Sequence, residues 1–263
     1  MTILSIEKTK KFYHFGEDFV IIFFGFVIIF FELLFTFCKN SNKIKNGDKM
    51  KEYNCYIFDF DGTIADTVPG IKNSVKYALD FYKIEEKDEK RLDYFIGPPL
   101  FDSFKTLYNV SDETADKLIV KYRERYKIKA SEESAIYDGV KEMLETLKKK
   151  GKKIAIASSK PLMFVEDISK HHGIYGYFDY ISAETFANTH SRKAELITDV
   201  LEHFGINNKS EAIMTGDRFY DIEGAIATGI DSAGALYGFG TEKELKEAGA
   251  TYLLDSPARL CDF

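Results

Sequence analysis

The sequence predicts an α/β fold: a parallel sheet covered by helices on both faces, with a block of helices inserted after the first strand. Three observations carry this. From residue 137 onward, short apolar runs alternate with amphipathic helical stretches, the pattern of a parallel sheet. One further apolar run, Tyr56-Ile57-Phe58, stands apart, separated from the rest by the polar, helix-rich stretch 67–136. Three of the runs end in polar residues, at Asp59, Ser158 and Asp217, and the carboxyl ends of such strands are where ligands bind.

Taken in order, the first strand is expected over Asn54–Asp59. Asp66 is placed to cap or fix a helix beginning near Val68-Pro69, where proline suits a first turn. Ile71, Val75, Ala78 and Leu79 keep helical spacing, as do Ala115, Leu118 and Val120 with Tyr122 and Tyr126. Gly97-Pro98-Pro99 breaks these helices. Val140, Met143, Leu144 and Leu147 share one face of a helix that Gly151 ends. A second strand is expected over Lys153–Ser158, then a helix from Pro161 to about His172 and a third strand over Phe178–Ala183. A helix over Ser191–Phe204 follows, with strands over Ala212–Thr215, Asp231–Leu236 and Thr251–Leu254.

With 263 residues and a net charge of −6, the chain can bury a sizeable core and shows no basic signature of a nucleic-acid partner. Cys38, Cys55 and Cys261 are odd in number and scattered, which argues against a disulfide framework and suits a reducing compartment. No Cys/His cluster has zinc spacing, and His171-His172 reads as a solvated helix end. There is no P-loop string. A monomer or a homodimer is expected.

The chemistry concentrates in Asp59-Phe60-Asp61-Gly62-Thr63, directly after the first strand. Residues two apart in a strand point the same way, so two carboxylates would meet at its end. Such a pair wants a cation, and oxygen ligands suit a hard ion, Mg²⁺. Gly62 lets the chain turn sharply. A surface turn also presents Asp-x-Asp; the apolar strand before it and the Gly-Thr after it favour chemistry. Ser158 lies between a strand and a helix, where a hydroxyl and free amides cradle phosphate, although helix capping looks the same in sequence. Lys193, beside Arg192, opens a helix; the helix dipole disfavours a cation there, so a paired anion is expected. Asp217 and Asp221 are four apart and would share a helical face. Arg218 is expected to pair with one of them or face solvent. The glycines of Gly238-Phe239-Gly240 read as plain loop residues, too short a string for a dinucleotide site.

Asp59-Phe60-Asp61-Gly62-Thr63, Ser158-Ser159-Lys160-Pro161, Ser191-Arg192-Lys193-Ala194-Glu195 and Gly216-Asp217-Arg218-Phe219-Tyr220-Asp221 stand in this order. Together they resemble the four motifs of the haloacid dehalogenase superfamily of phosphatases, in its phosphoglycolate phosphatase and 5′-nucleotidase-like branch. The resemblance covers about residues 53–254. It implies a Rossmann-like catalytic core (50–66 and 137–263) and a helical cap domain (67–136) containing Gly97-Pro98-Pro99. It implies that Asp59 is the nucleophile and forms an aspartyl-phosphate, with Asp61 the general acid/base, which argues against a true dehalogenase. Thr63, Ser158, Ser159 and Lys193 would meet the substrate phosphate. Mg²⁺ would be held by Asp59, Asp217 and the Asp61 carbonyl, with Asp66 and Asp221 in support. The substrate implied is a small phosphorylated metabolite, a 5′-nucleotide or 2-phosphoglycolate first and pyrophosphate third. A phosphosugar mutase is the rival reading within the family. A non-enzymatic, receiver-like phosphorylatable domain is the rival outside it, and the insertion after the first strand speaks against that.

Residues 1–49 lie outside the resemblance. Phe19–Cys38 is nearly all apolar with lysines on both sides, long enough to span a bilayer. The stretch is also rich in Phe, Ile, Lys and Asn, as translated AT-rich DNA would be, and carries seven lysines against five acids while the remainder of the chain is strongly negative. The expectation is a cytoplasmic enzyme starting at Met50, the alternative a membrane anchor through residues 19–38.

Overall fold

A computed structural model describes residues 51–97, 99–185 and 192–263. The apolar run Phe19–Cys38 and the expected start at Met50 lie outside the described residues. Among the described residues, no helix is long and apolar enough to cross a membrane.

The apolar run at the start of the catalytic string becomes β1 (Cys55–Phe58), every residue of it buried. It is central in a six-stranded parallel sheet with β4 (Lys153–Pro161), β5 (Tyr180–Glu184), β6 (Ala212–Gly216), β7 (Asp231–Ala235) and β8 (Tyr252–Leu254), in the order β5-β4-β1-β6-β7-β8. A strand buried on both faces reads as a continuous apolar run because its two faces feed different cores. Tyr56 and Phe58 join the cluster holding Val140, Met143, Leu144, Leu147, Val165 and Ile168. Cys55 and Ile57 face the cluster of Leu196, Ile197, Val200, Leu201, Met214 and Ala225. The first cluster is lined by α4 (Val140–Lys149) and α5 (Leu162–His171), the second by α6 (Lys193–His203) and α7 (Phe219–Thr228).

Strand order reverses at β1: β4 and β5 lie on one side, β6 to β8 on the other. Phe58 pairs with Ile156 of β4 and Thr215 of β6. The next residues along all three strands, Asp59, Ala157 and Gly216, therefore reach the same carboxyl edge, at the switch point where a crevice opens.

A two-stranded antiparallel ribbon, β2 (Ala65–Asp66) with β3 (Ala135–Ile136), carries the chain out and back. Between its strands lie α1 (Val68–Phe81), a 3₁₀ turn (Glu89–Phe95), α2 (Leu100–Tyr108) and α3 (Asp112–Lys129). Ile71, Val75, Ala78 and Leu79 of α1 are buried with Ala115, Leu118, Tyr122 and Tyr126 of α3, as their spacing predicts. Val120 is the exception: it is 64% exposed, because it falls on the opposite face of α3 from Leu118 and Tyr122.

Most strand ends fall within a residue of expectation, and two depart by more. β4 continues through Ser158 and Ser159 to Pro161, with its register to β5 shifting between Ser158 and Pro161. β5 starts at Tyr180 rather than Phe178, since Tyr175–Tyr177 forms a 3₁₀ turn and Asp179 is held by the Ile154 carbonyl.

Because Phe58 is fully buried beneath the crevice, Phe58→Ala is expected to cost about 3–5 kcal/mol of stability by removing transfer energy and leaving a cavity. Urea unfolding monitored by circular dichroism measures it; a loss below about 1 kcal/mol would contradict this packing.

Candidate active site

Asp59 continues β1 by one residue, its N–H donating to the Thr215 carbonyl at 2.9 Å. The chain then folds sharply. Ile64 and Ala65 donate to the Phe60 carbonyl at 2.9 and 3.0 Å, and Gly62 donates to that of Ala65 at 2.9 Å. The turn needs Gly62 in the left-handed region, φ 77°, and a Cβ there would lie 2.3 Å from Asp217 Oδ2.

Lys193, first residue of α6, reaches into the crevice. Its Nζ is 2.9 Å from Asp59 Oδ1 and 2.9 Å from Asp221 Oδ1, and donates to the Ala157 carbonyl at 3.0 Å. The anion expected for a lysine at a helix start is thus two anions, Asp59 and Asp221. Asp221 accepts from the Arg218 N–H at 3.1 Å, capping α7 while it holds Lys193. Asp217 precedes that helix. Its Oδ2 accepts from the Phe239 N–H at 2.8 Å and its Oδ1 lies 3.4 Å from the Thr63 hydroxyl.

Oxygens of Asp59, Asp217 and Asp221 lie within 4.8 Å of one another. Lys193 pairs with two of these three carboxylates, so negative charge is in excess. Burial, with Asp221 and Asp59 adding repulsion, pushes the Asp217 carboxyl up to about 8. Burial also pushes Asp221 up to about 6, with Lys193 pulling the other way. Burial works against the Lys193 ammonium, but Asp221 and Asp59 together hold it above the ordinary lysine range. An all-oxygen, net-negative, desolvated cluster fits a hard divalent cation such as Mg²⁺.

Asp61 turns elsewhere. Its carboxylate accepts from the Thr67 hydroxyl at 2.8 Å and from Lys160 Nζ at 3.0 Å. Asp66 accepts from the Val68 N–H at 3.0 Å and fixes the start of α1 as expected. Ser158 is buried at the end of β4, its Oγ accepting from the Lys160 N–H at 3.3 Å; Ser159 is exposed. The Arg218 side chain turns away from the aspartates of its motif. Its Nε donates to Glu244 at 2.8 Å, because α8 (Glu242–Glu247) brings that carboxylate across the start of α7.

Sequence reasoning missed two features. Lys160 is one, since a lysine after two serines carries no signal of burial. The other is the glycine pair after β7. A Cβ on Gly238 would lie 2.3 Å from the Gly62 carbonyl, and one on Gly240 would lie 1.9 Å from that of Asp217. These are not plain loop residues: they let the backbone wrap Asp217. The Gly-x-Gly spacing was the visible clue.

Because Asp217 and Asp221 stand above the ordinary carboxylate range, the folded chain keeps protons that the unfolded chain has lost. Stability of the metal-free protein therefore falls as pH rises from about 4 to about 8. Thermal midpoints across that window, in chelator and with Mg²⁺, are expected to show the fall in chelator and its reduction by Mg²⁺. Asp217→Asn is expected to flatten the chelator curve. A curve that neither Mg²⁺ nor this substitution alters would contradict the charge balance described.

Residues 56–235 match the haloacid dehalogenase-like hydrolase family. A 5′-nucleotidase of Pseudomonas aeruginosa is 36% identical over 205 residues, covering 78% of this chain and 92% of that protein. A phosphoglycolate phosphatase of Colwellia psychrerythraea is 26% identical, covering 79% of this chain and 95% of the relative. The crystal structure of a predicted phosphatase from Clostridium acetobutylicum superposes with a TM-score of 0.73 at 40% identity, covering 80% of this chain and 97% of that one. With a central strand delivering Asp59 to the crevice, Lys193 bridging it to Asp221, and a family match over most of the chain, this protein belongs to the haloacid dehalogenase-like hydrolases.

Proposed function

We propose that the chain is a Mg²⁺-dependent phosphomonoesterase acting on a small phosphorylated metabolite through an aspartyl-phosphate on Asp59. The observation that carries this is the Lys193 ammonium held 2.9 Å from both Asp59 and Asp221 inside an acidic, oxygen-lined cluster. A carboxylate nucleophile beside phosphate needs its charge offset, and Lys193, 2.9 Å from Asp59 Oδ1, supplies part of that.

Asp59, Asp217 and the Asp61 carbonyl would hold Mg²⁺, with Asp221 in reach of the same position. When bound, the ion supplies positive charge that lets an anionic phosphate approach an anionic nucleophile. Ser158 and the amides of the loop after β1 receive the phosphate oxygens; Ser159, exposed on the other side of β4, and Thr63, buried with its hydroxyl 3.4 Å from Asp217, do not have the phosphate contact expected of them. Asp59 attacks phosphorus in line as the ester P–O bond breaks, and Asp61 gives its proton to the departing alkoxide. Asp61 then takes a proton from water, which attacks phosphorus and returns phosphate and the free Asp59 carboxylate. Residues 67–136 act as a cap over this core, excluding water and carrying specificity. A 5′-nucleotide is the first candidate substrate and 2-phosphoglycolate the second. Each is the substrate class in the name of one relative, and the nucleotidase shares the higher identity.

Asp59→Asn is expected to abolish p-nitrophenyl phosphate hydrolysis without unfolding the chain, and Asp61→Asn to be nearly as severe. Beryllium fluoride with Mg²⁺ is expected to trap the wild type and not Asp59→Asn. Turnover by Asp59→Asn at the wild-type rate would overturn the mechanism. In a phosphate-release screen, small phosphomonoesters should outrank phosphoproteins and phosphoinositides; the reverse order would overturn the substrate class.

A further inference from the structure

Lys160 has no task in the chemistry above, yet it is 7% exposed and held by specific partners. Burying an ammonium is costly unless every donor is used well. Residues 158 and 160 point the same way along β4, which places Lys160 inward while Ser159 faces solvent. Its Nζ donates to Asp61 at 3.0 Å and to the Tyr126 hydroxyl at 2.7 Å. Tyr126 comes from α3, in the inserted helices. It is 2% exposed, stacked on Tyr122 at 5.2 Å between centroids and edge-on to Phe164 of α5 at 4.9 Å. Thr67, at the start of the insertion, donates to Asp61 Oδ1 alone at 2.8 Å, whereas Lys160 Nζ lies 3.0 Å from Oδ1 as well as from Oδ2 and so spans the carboxylate.

We propose that Lys160 is a positioning residue for Asp61: it sets the plane of the carboxyl for proton delivery to the leaving group and ties that setting to the inserted helices through Tyr126. The inference rests on the phosphomonoesterase reading. Proton transfer in the transition state demands a donor aligned with the departing oxygen, and a carboxyl gripped on one side alone can rotate out of line. The geometry also fits a tie that only holds the insertion in place, and the two roles differ in what they do to different leaving groups.

The test compares kcat/KM for p-nitrophenyl phosphate and phenyl phosphate, two esters of similar shape whose leaving groups differ in their need for a proton. Because kcat/KM reports steps through ester cleavage, later hydrolysis of the intermediate does not mask the comparison. In Lys160→Met, phenyl phosphate is expected to lose at least about tenfold more than p-nitrophenyl phosphate, given the size of general-acid effects. Tyr126→Phe, which keeps the ring packing and the lysine, is expected to shift the ratio the same way by less, and it serves as the test if Lys160→Met does not fold. Equal losses on both esters, as a phosphate contact or a merely structural tie would give, overturn the assignment, as does no loss. A wild type inert towards both esters overturns the proposed function and this inference with it; an active wild type with equal losses in the variants overturns the inference alone.

Discussion

The buried imbalance of charge around Lys193 is the constraint the rest of the site answers to. Asp59 and Asp221 each lie 2.9 Å from its ammonium, and Asp217 adds a third carboxylate within the same few ångströms. A lone buried pair of opposite charges would at best offset its own desolvation. A third acid without a cation of its own makes the cluster unfavourable until one arrives, and burial with that repulsion holds Asp217 far above its ordinary range. Such a cluster persists only if the backbone over-determines it. β1 and β6 end within a residue of each other to present it, with β4 alongside, and Gly62, Gly238 and Gly240 close around Asp217 with no room for a side chain.

The apolar core therefore serves the site directly. β1 has Tyr56 and Phe58 on one face and Cys55 and Ile57 on the other, each face buried in a separate cluster. A strand anchored on both faces and hydrogen-bonded on both edges has little freedom to tilt. Asp59, one residue beyond it, inherits that rigidity, which the in-line attack proposed for it would require.

Much of this was legible in the sequence. The α/β architecture followed from alternating strand and helix signals, and the ribbon of Ala65–Asp66 with Ala135–Ile136 brackets the insertion where its polar composition suggested. Asp59, Asp217 and Asp221 were legible as residues that would meet because strand-end position and helical spacing constrain them locally, whereas Lys193 was singled out mainly by the resemblance of its motif. What stayed hidden depends on contacts far apart in sequence. Lys160 meets Asp61 across 99 positions, and Arg218 turns to Glu244 because α8 arrives 26 residues later. Val120 was misplaced for a different reason: its neighbours define the buried face, and a residue two positions from Leu118 lies on the other side.

The contacts of Tyr126 bear on how the insertion and the chemistry are linked. Its hydroxyl holds Lys160 and its ring packs on Phe164, while nearby Tyr137, just past β3, meets Tyr237 edge-on at 5.4 Å. Moving α3 away from the sheet would break the Tyr126–Lys160 bond and the Tyr126–Phe164 packing together. It would leave a buried ammonium one partner short, beside the carboxyl it steadies. The arrangement with α3 against the sheet is thus stabilised by a bond to the lysine that holds Asp61, so in the proposed mechanism seating the insertion and aligning the acid would be one physical event. Under that proposal, a substrate that favours the seated insertion would gain an aligned acid at the same moment, and water entering without substrate would find the proposed proton donor out of line.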